Sequence, residues 1–191
     1  MKLVFATHNV NKYEEVKLLM PEHIELVSLD MIGCHHEIPE TGETLEENAQ
    51  IKADFVTSNY GHACFSDDTG LLVDALNGAP GVYTARYAGE EKDAEANMDK
   101  LLRNLTQSTN RDAHFKTVIA LNIDVKNYIF DGVVEGTIHK GKQGSKGFGY
   151  DPIFIPNGYD KTFAELPLSI KNKISHRGRA IQKLIAFISS L

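Results

Sequence analysis

The chain has only two cysteines, Cys34 and Cys64, and their separation fits no metal-site spacing. They read as reduced thiols rather than a disulfide framework, with Cys64 a small buried hydrophobe. No apolar run approaches the roughly 20 residues of a membrane span, and residues 1–6 are too short for a secretory signal, so no membrane partner is expected and the cytoplasm is the expected location. Basic charge is also scarce: 20 Lys and Arg against 26 Asp and Glu give a net charge of −6. That balance argues against a general binder of nucleic acid or anionic membrane, but local cations can still hold a small polyphosphate. Internal repeats, low-complexity tracts and linkers are absent. At 191 residues, 42% hydrophobic and 24% charged, the chain can bury a substantial core as one domain with room for two lobes.

Hydrophobic patterning outlines an α/β fold with a mixed sheet. Leu3-Val4-Phe5-Ala6 suits a buried strand, and residues 11–20 a helix carrying Val16, Leu18 and Leu19. Residues 24–27 suggest a second strand, 33–44 a loop, and 45–60 a helix opened by Glu43, Glu46 and Glu47. His62 to Phe65 reads as a short strand that Leu71-Leu72-Val73 resumes. After the turn signal Gly78-Ala79-Pro80-Gly81 comes a helix over 94–105 with Met98, Leu101, Leu102 and Leu105. Strands at 115–121 and 128–138 form a hairpin, and an amphipathic helix over 175–190 closes the chain.

Ser66-Asp67-Asp68-Thr69-Gly70 puts two carboxylates where a strand is expected to end, with Gly70 supplying turn geometry. Adjacent acids on a strand point to opposite faces, so one of them faces the chemistry unless the turn re-aims it. A surface Asx turn is the simpler alternative. Thr7-His8-Asn9-Val10-Asn11-Lys12 brings free backbone N–H groups, a hydroxyl, amides and an ammonium to a helix N-terminus, which suits an anion. It is not a Walker loop, and the plainer reading is that Asn9 or Asn11 caps the helix. At about 100° per residue, Asn48 and Lys52 fall on the apolar face formed by Leu45, Ala49, Ala53, Phe55, Val56 and Tyr60. Lys52 either snorkels to water or adds a second cation near the anion site.

The acidic loop from Glu37 to Glu43 offers carboxylates that could complete a magnesium site with Asp67 or Asp68. Magnesium takes few protein carboxylates beside waters and substrate phosphates. Glu43 and Glu46 can equally serve the next helix's N-terminus. Gly144-Ser145-Lys146-Gly147-Phe148-Gly149-Tyr150-Asp151-Pro152 is a glycine-dense loop that either presents Phe148 to a planar base or folds it inward as part of a long connection. Ser175-His176-Arg177-Gly178-Arg179 opens the last helix with Ser175 as N-cap and cations in the first turn, which calls for an electron-rich partner or for solvent. Arg177 lies on the side continued by Leu184 and Ile188.

Thr7-x-Asn9-x-x-Lys12, Glu40-Thr41-Gly42, Glu47-Asn48-Ala49-x-x-Lys52-Ala53, Ser66-Asp67-Asp68-Thr69-Gly70-Leu71, Gly78-x-Pro80-Gly81-Val82-Tyr83-x-Ala85-Arg86, Phe148-Gly149-Tyr150-Asp151-Pro152 and Ser175-His176-Arg177-Gly178 follow one another along nearly the whole chain. In this order and spacing they resemble the inosine/xanthosine triphosphate pyrophosphatase family. The resemblance implies a single domain over 1–191, with a mixed, elongated central sheet, flanking helices and two lobes around a central cleft. It also implies a homodimeric, magnesium-dependent hydrolase that cuts inosine, deoxyinosine and xanthosine triphosphates to monophosphate and pyrophosphate, clearing deaminated purines from the nucleotide pool.

Carried onto this chain, Thr7, His8, Asn9, Val10, Asn11 and Lys12 would cradle the triphosphate. Glu40 and Asp68 would hold magnesium, and Asp68 would take a proton from the attacking water. Lys52 and Thr69 would contact phosphate or sugar. Phe148 would stack on the base, Gly149 and Tyr150 beside it would bind substrate, and Asp151, Lys171, His176 and Arg177 would read the base edge. A 6-oxo group accepts from His176 or Arg177, whereas a 6-amino group would set donor against donor. The family often has glycine where His8 and Asn11 stand, which puts the loop's conformation at issue. Thr69 replaces a frequent serine and keeps its hydroxyl. The dimer is expected partly through residues 78–87, where Val82, Tyr83 and Tyr87 gather. Rival readings are a broad or pyrimidine nucleotide pyrophosphatase, a nucleotide sensor without turnover, and a nucleic-acid module, which the acidic charge argues against.

Overall fold

Strand β1 (Lys2–Phe5) forms from the first apolar run, with Leu3, Val4 and Phe5 buried in a computed structural model that describes residues 1–191. The next helix, α1 (Val10–Lys17), begins one residue earlier than expected because Asn9 caps it, its side chain accepting from the Lys12 N–H. β2 (Glu25–Val27) pairs in parallel with β1. α2 (Leu45–Tyr60) has the expected bounds. Thr44 and Glu47 form a reciprocal capping box at its start, and Gly61 ends it in the left-handed region at φ 69°. Its buried residues are Leu45, Asn48, Ala49, Lys52, Ala53 and Val56, so both polar side chains on the apolar face are enclosed.

β3 (Cys64–Val73) corrects the sequence reading. The acids do not stand at a strand end beside a turn; they lie within one unbroken strand, and Ser66, Asp67 and Asp68 are all buried. The polar segment reads as a turn from composition but persists as strand because its side chains have buried partners: Ser66 Oγ donates to the Ala49 carbonyl, and Asp67 is paired with cations. β3 starts parallel to β1, with Phe5 opposite Phe65 and their rings stacked at 4.6 Å.

A short β4 (Pro80–Gly81) returns antiparallel on β3. Helix α3 (Ala94–Asn104) is capped by Asp93, which accepts from the N–H groups of Glu95 and Ala96. β5 (Asp112–Ile123) and β6 (Lys126–Ile138) are joined by Asp124 and Val125, both at positive φ, the signature of a tight two-residue hairpin. β7 (Phe154–Pro156) lies antiparallel to β6, so the glycine-dense loop connects these two strands. α4 (Leu168–Ile174) was not expected from the sequence. Ser175 closes it, its backbone N–H bonded to the Lys171 carbonyl, before α5 (His176–Ile188) begins. The strands form one mixed sheet in the order β2-β1-β3-β5-β6-β7, with β4 on β3.

Two compact units share this sheet. Unit one comprises Met1–Asp68, Thr117–Gly132 and Arg177–Leu191; unit two comprises Thr69–Lys116 and Val133–His176. Unit one has two apolar cores. The first holds Leu3, Phe5, Val16, Phe65, Ile119, Leu121, Ile181 and Leu184, and the second holds Val4, Ala6, Leu29, Val56 and both cysteines. Cys34 and Cys64 are free thiols. Unit two is built around Leu71, Val73, Met98, Leu101, Phe115, Tyr150, Phe154 and Phe163. No helix is long and apolar enough to cross a membrane.

Candidate active site

In unit one, β1 delivers the chain to the loop preceding α1. The Asn9 N–H donates to Thr7 Oγ1 at 3.1 Å, and the Lys12 N–H donates to Asn9 Oδ1 at 3.1 Å. His8 Nε2 lies 3.0 Å from the His36 carbonyl oxygen, so that nitrogen carries the proton and donates. Neither His8 nor Asn11 has positive φ, and the loop therefore makes no backbone demand for glycine at either place. Val10 and Asn11 are exposed.

The Lys12 ammonium reaches back to β3 and donates to Asp67 Oδ1 at 2.8 Å. Lys52, one turn after Asn48 on α2, is buried. Its ammonium donates to a Glu40 carboxylate oxygen and, at 2.8 Å, to the Asp67 carbonyl, with Asp68 Oδ1 3.6 Å away. Asn48 holds the acidic loop in place by accepting from the Gly42 N–H at 2.8 Å. A Cβ at Gly42 would stand 2.6 Å from Glu47 Cβ, so only glycine lets the loop carrying Glu40 lie this close to α2. Asp67 and Asp68 thus divide as neighbours on a strand must: one carboxylate meets Lys12, the other faces Lys52 and the Glu40 side.

The same arrangement separates the proton affinities of the two acids. Burial alone would raise the Asp67 carboxyl, but Lys12, Arg177 and Lys52 overcome it and hold Asp67 well below the usual carboxylate range. Asp68 is raised, chiefly by burial and further by Glu40 and Asp67, against the pull of Lys52 and Lys12. Lys12 is lowered, first by burial and then by the neighbouring charges of Lys52 and Arg177. Lys52 is raised despite its burial, because Asp68, Glu40 and Asp67 surround it.

Arg177, expected to read a base edge, has two carboxylate partners. Its guanidinium is buried in unit one, donating from Nε to Asp67 Oδ2 at 2.9 Å and from Nη1 to Glu15 Oε2 at 2.7 Å. Glu15 was missed by the sequence reading. The signal was there: Lys12, Glu15, Val16 and Leu19 share one helical face, so a carboxylate stands on the buried side of α1.

Unit two carries the aromatic group. The Phe148 ring is half-buried, with the Lys171 ammonium 4.9 Å from its centroid. Lys171 and Asp151 form a buried pair at 2.5 Å, and the same Asp151 oxygen accepts from the Phe148 N–H at 2.8 Å. A Cβ at Gly147 would fall 2.0 Å from that oxygen, and its φ is 74°, so glycine is what lets the loop wrap the carboxylate. The Tyr150 side chain belongs to the core of unit two, its hydroxyl donating to the Thr84 carbonyl at 2.9 Å. The His176 ring stacks on Phe115 at 4.5 Å. Gly149 is half-buried beside Phe148, and Thr69 is half-buried on β3 next to Asp68.

A family profile described as Ham1 family matches residues 3–187. The chain is 58% identical over 190 residues to a protein of Flavobacterium johnsoniae named dITP/XTP pyrophosphatase, covering 100% of this chain and 99% of that one. It is 50% identical to a Porphyromonas gingivalis protein of the same name, covering 98% and 97%. Among solved structures, the Staphylococcus aureus Ham1 protein superposes with a TM-score of 0.90 at 41% identity, covering 100% of this chain and 99% of that one. A HAM1 protein from Coxiella burnetii gives 0.92 at 36% identity with complete coverage of both chains. An enclosed cluster of ammonium and carboxylate groups beside a phosphate-suited loop is what a nucleotide hydrolase needs. The chain belongs to the Ham1 family and is a nucleoside triphosphate pyrophosphatase.

Proposed function

We propose that the protein hydrolyses triphosphates of deaminated purines, those of inosine, deoxyinosine and xanthosine, to monophosphate and pyrophosphate with magnesium, in the cytoplasm. The observation that carries this is the cluster in which Lys12, Lys52, Glu40, Asp67 and Asp68 meet next to the loop from Thr7 to Lys12. The relatives named dITP/XTP pyrophosphatase support the choice of base.

The donor set suits magnesium. Glu40 and Asp68 offer hard carboxylate oxygens around one ammonium, and their repulsion, part of what raises Asp68, is what a divalent cation relieves. When bound there, magnesium would neutralise phosphate charge and polarise the bond that breaks. The rest is done by the chain. The N–H groups at the start of α1 and the Lys12 ammonium take the phosphate oxygens, while Lys52 adds a second cation where negative charge develops. Asp68, whose proton affinity is raised by burial, accepts a proton from the attacking water. Phe148 stacks on the purine, and Asp151, Lys171 and His176 read its edge.

The test is a panel of inosine, xanthosine, guanosine and adenosine triphosphates, each assayed for pyrophosphate with and without magnesium. The expected result is pyrophosphate from the first two at a higher kcat/KM than from adenosine triphosphate, abolished by chelation. Equal turnover of all four, or release of single phosphate, overturns the proposal.

A further inference from the structure

Lys12 and Glu15 stand three residues apart on α1, and both are tied to the same carboxylate across the interior of unit one. Lys12 binds one oxygen of Asp67, Arg177 binds the other, and Arg177 returns to Glu15. Closed through the backbone of α1, the four side chains form a ring of alternating charge: Lys12, Asp67, Arg177, Glu15. The side chains of Arg177, Glu15 and Asp67 are 3%, 7% and 1% exposed, and that of Lys12 is 15% exposed.

Four buried charges are a poor device for stability, since an apolar set of equal volume does as well or better. What such a ring supplies is direction. Asp67 has both oxygens engaged and cannot turn without breaking a bond to Arg177. An ammonium has three N–H donors, so Lys12 held on Asp67 by one keeps others for phosphate. Resting on the phosphate-holding role proposed for Lys12, we propose that Glu15 is a positioning residue: through Arg177 it fixes Asp67, and thereby aims the Lys12 ammonium, without touching substrate.

Glu15→Gln, Lys12→Met and the double variant test this, read by KM and kcat for inosine triphosphate in saturating magnesium and by calorimetric affinity for inorganic tripolyphosphate. Glu15→Gln should raise both KM and the tripolyphosphate Kd about 5- to 10-fold, the range expected for coupled neighbours, and leave kcat within about 2-fold. In the Lys12→Met background the same change should shift Kd by less than about 2-fold, because its effect passes through Lys12. A folded Glu15→Gln protein with unaltered Kd, or an equal loss in both backgrounds, overturns the inference. If Glu15→Gln does not fold, Glu15→Asp, which keeps the charge but draws it back by one methylene, is read by the same criteria. Absence of pyrophosphate release by the unaltered protein would strike the proposed function, and the tripolyphosphate comparison, which needs no turnover, would still decide this one.

Discussion

The two units assemble their polar chemistry in different ways. In unit one, Lys12, Lys52 and Arg177 face Glu15, Glu40, Asp67 and Asp68, and each cation serves more than one carboxylate or carbonyl or shares a carboxylate with another cation. Most of these groups are mounted on the regular elements α1, α2, β3 and α5. In unit two a single buried pair, Lys171 with Asp151, stands among Phe148, Phe163, Phe115 and His176, and Phe148 itself rides on a loop. Charge on a triphosphate must be met by several groups whose mutual repulsion is balanced, which favours a network on rigid supports. A planar base needs a ring face and a few edge contacts, which a pinned loop can supply.

If that division is real, damage to the two groups will differ in kind. Asp68→Asn should have the largest effect, lowering kcat by about 10²- to 10⁴-fold for every nucleotide, the usual range for removing a general base. Near-normal turnover in the folded variant would break the contrast. Phe148→Ala should weaken affinity for all purine triphosphates about 5- to 150-fold, as loss of one base–aromatic stack does, with little change in the inosine-to-adenosine preference. A fall confined to kcat would show that the ring serves the reaction rather than the base. Glu40→Gln should be mildest, moving the half-maximal magnesium concentration up by as much as about tenfold while saturated kcat stays close to the original. A magnesium titration that overlays the unaltered protein's would remove Glu40 from the ion's donors.

Much of this was readable from one sequence, for local reasons. The bounds of α2 follow from Thr44, Glu47 and Gly61, all within reach of the helix they delimit, and the enclosure of Asn48 and Lys52 follows from helical spacing. The errors are where distant residues decide. Asp67 and Asp68 look like a turn because their stabilising partners come from elsewhere: Lys12 is 55 residues before Asp67, and Arg177 is 110 residues after it. The same distance hid the pairing of Arg177 with Asp67, since helical spacing places Arg177 only on the side of Leu184 and Ile188. α4 escaped because it is only seven residues long, with Ile170 and Ile174 as a single apolar pair on the core and Lys171 and Asn172 buried beside them.

The loop from Thr7 to Lys12 holds its course by hydrogen bonds at Thr7, Asn9 and Lys12, and its ordinary φ values at His8 and Asn11 ask nothing special of those residues. Tolerance to sequence drift therefore varies from residue to residue along the loop. Positions 7, 9 and 12 are committed to geometry or charge, whereas 8 and 11 can exchange glycine for a larger side chain at no backbone cost. Side-chain size at 8 and 11 can thus change without straining the backbone whose course Thr7, Asn9 and Lys12 set.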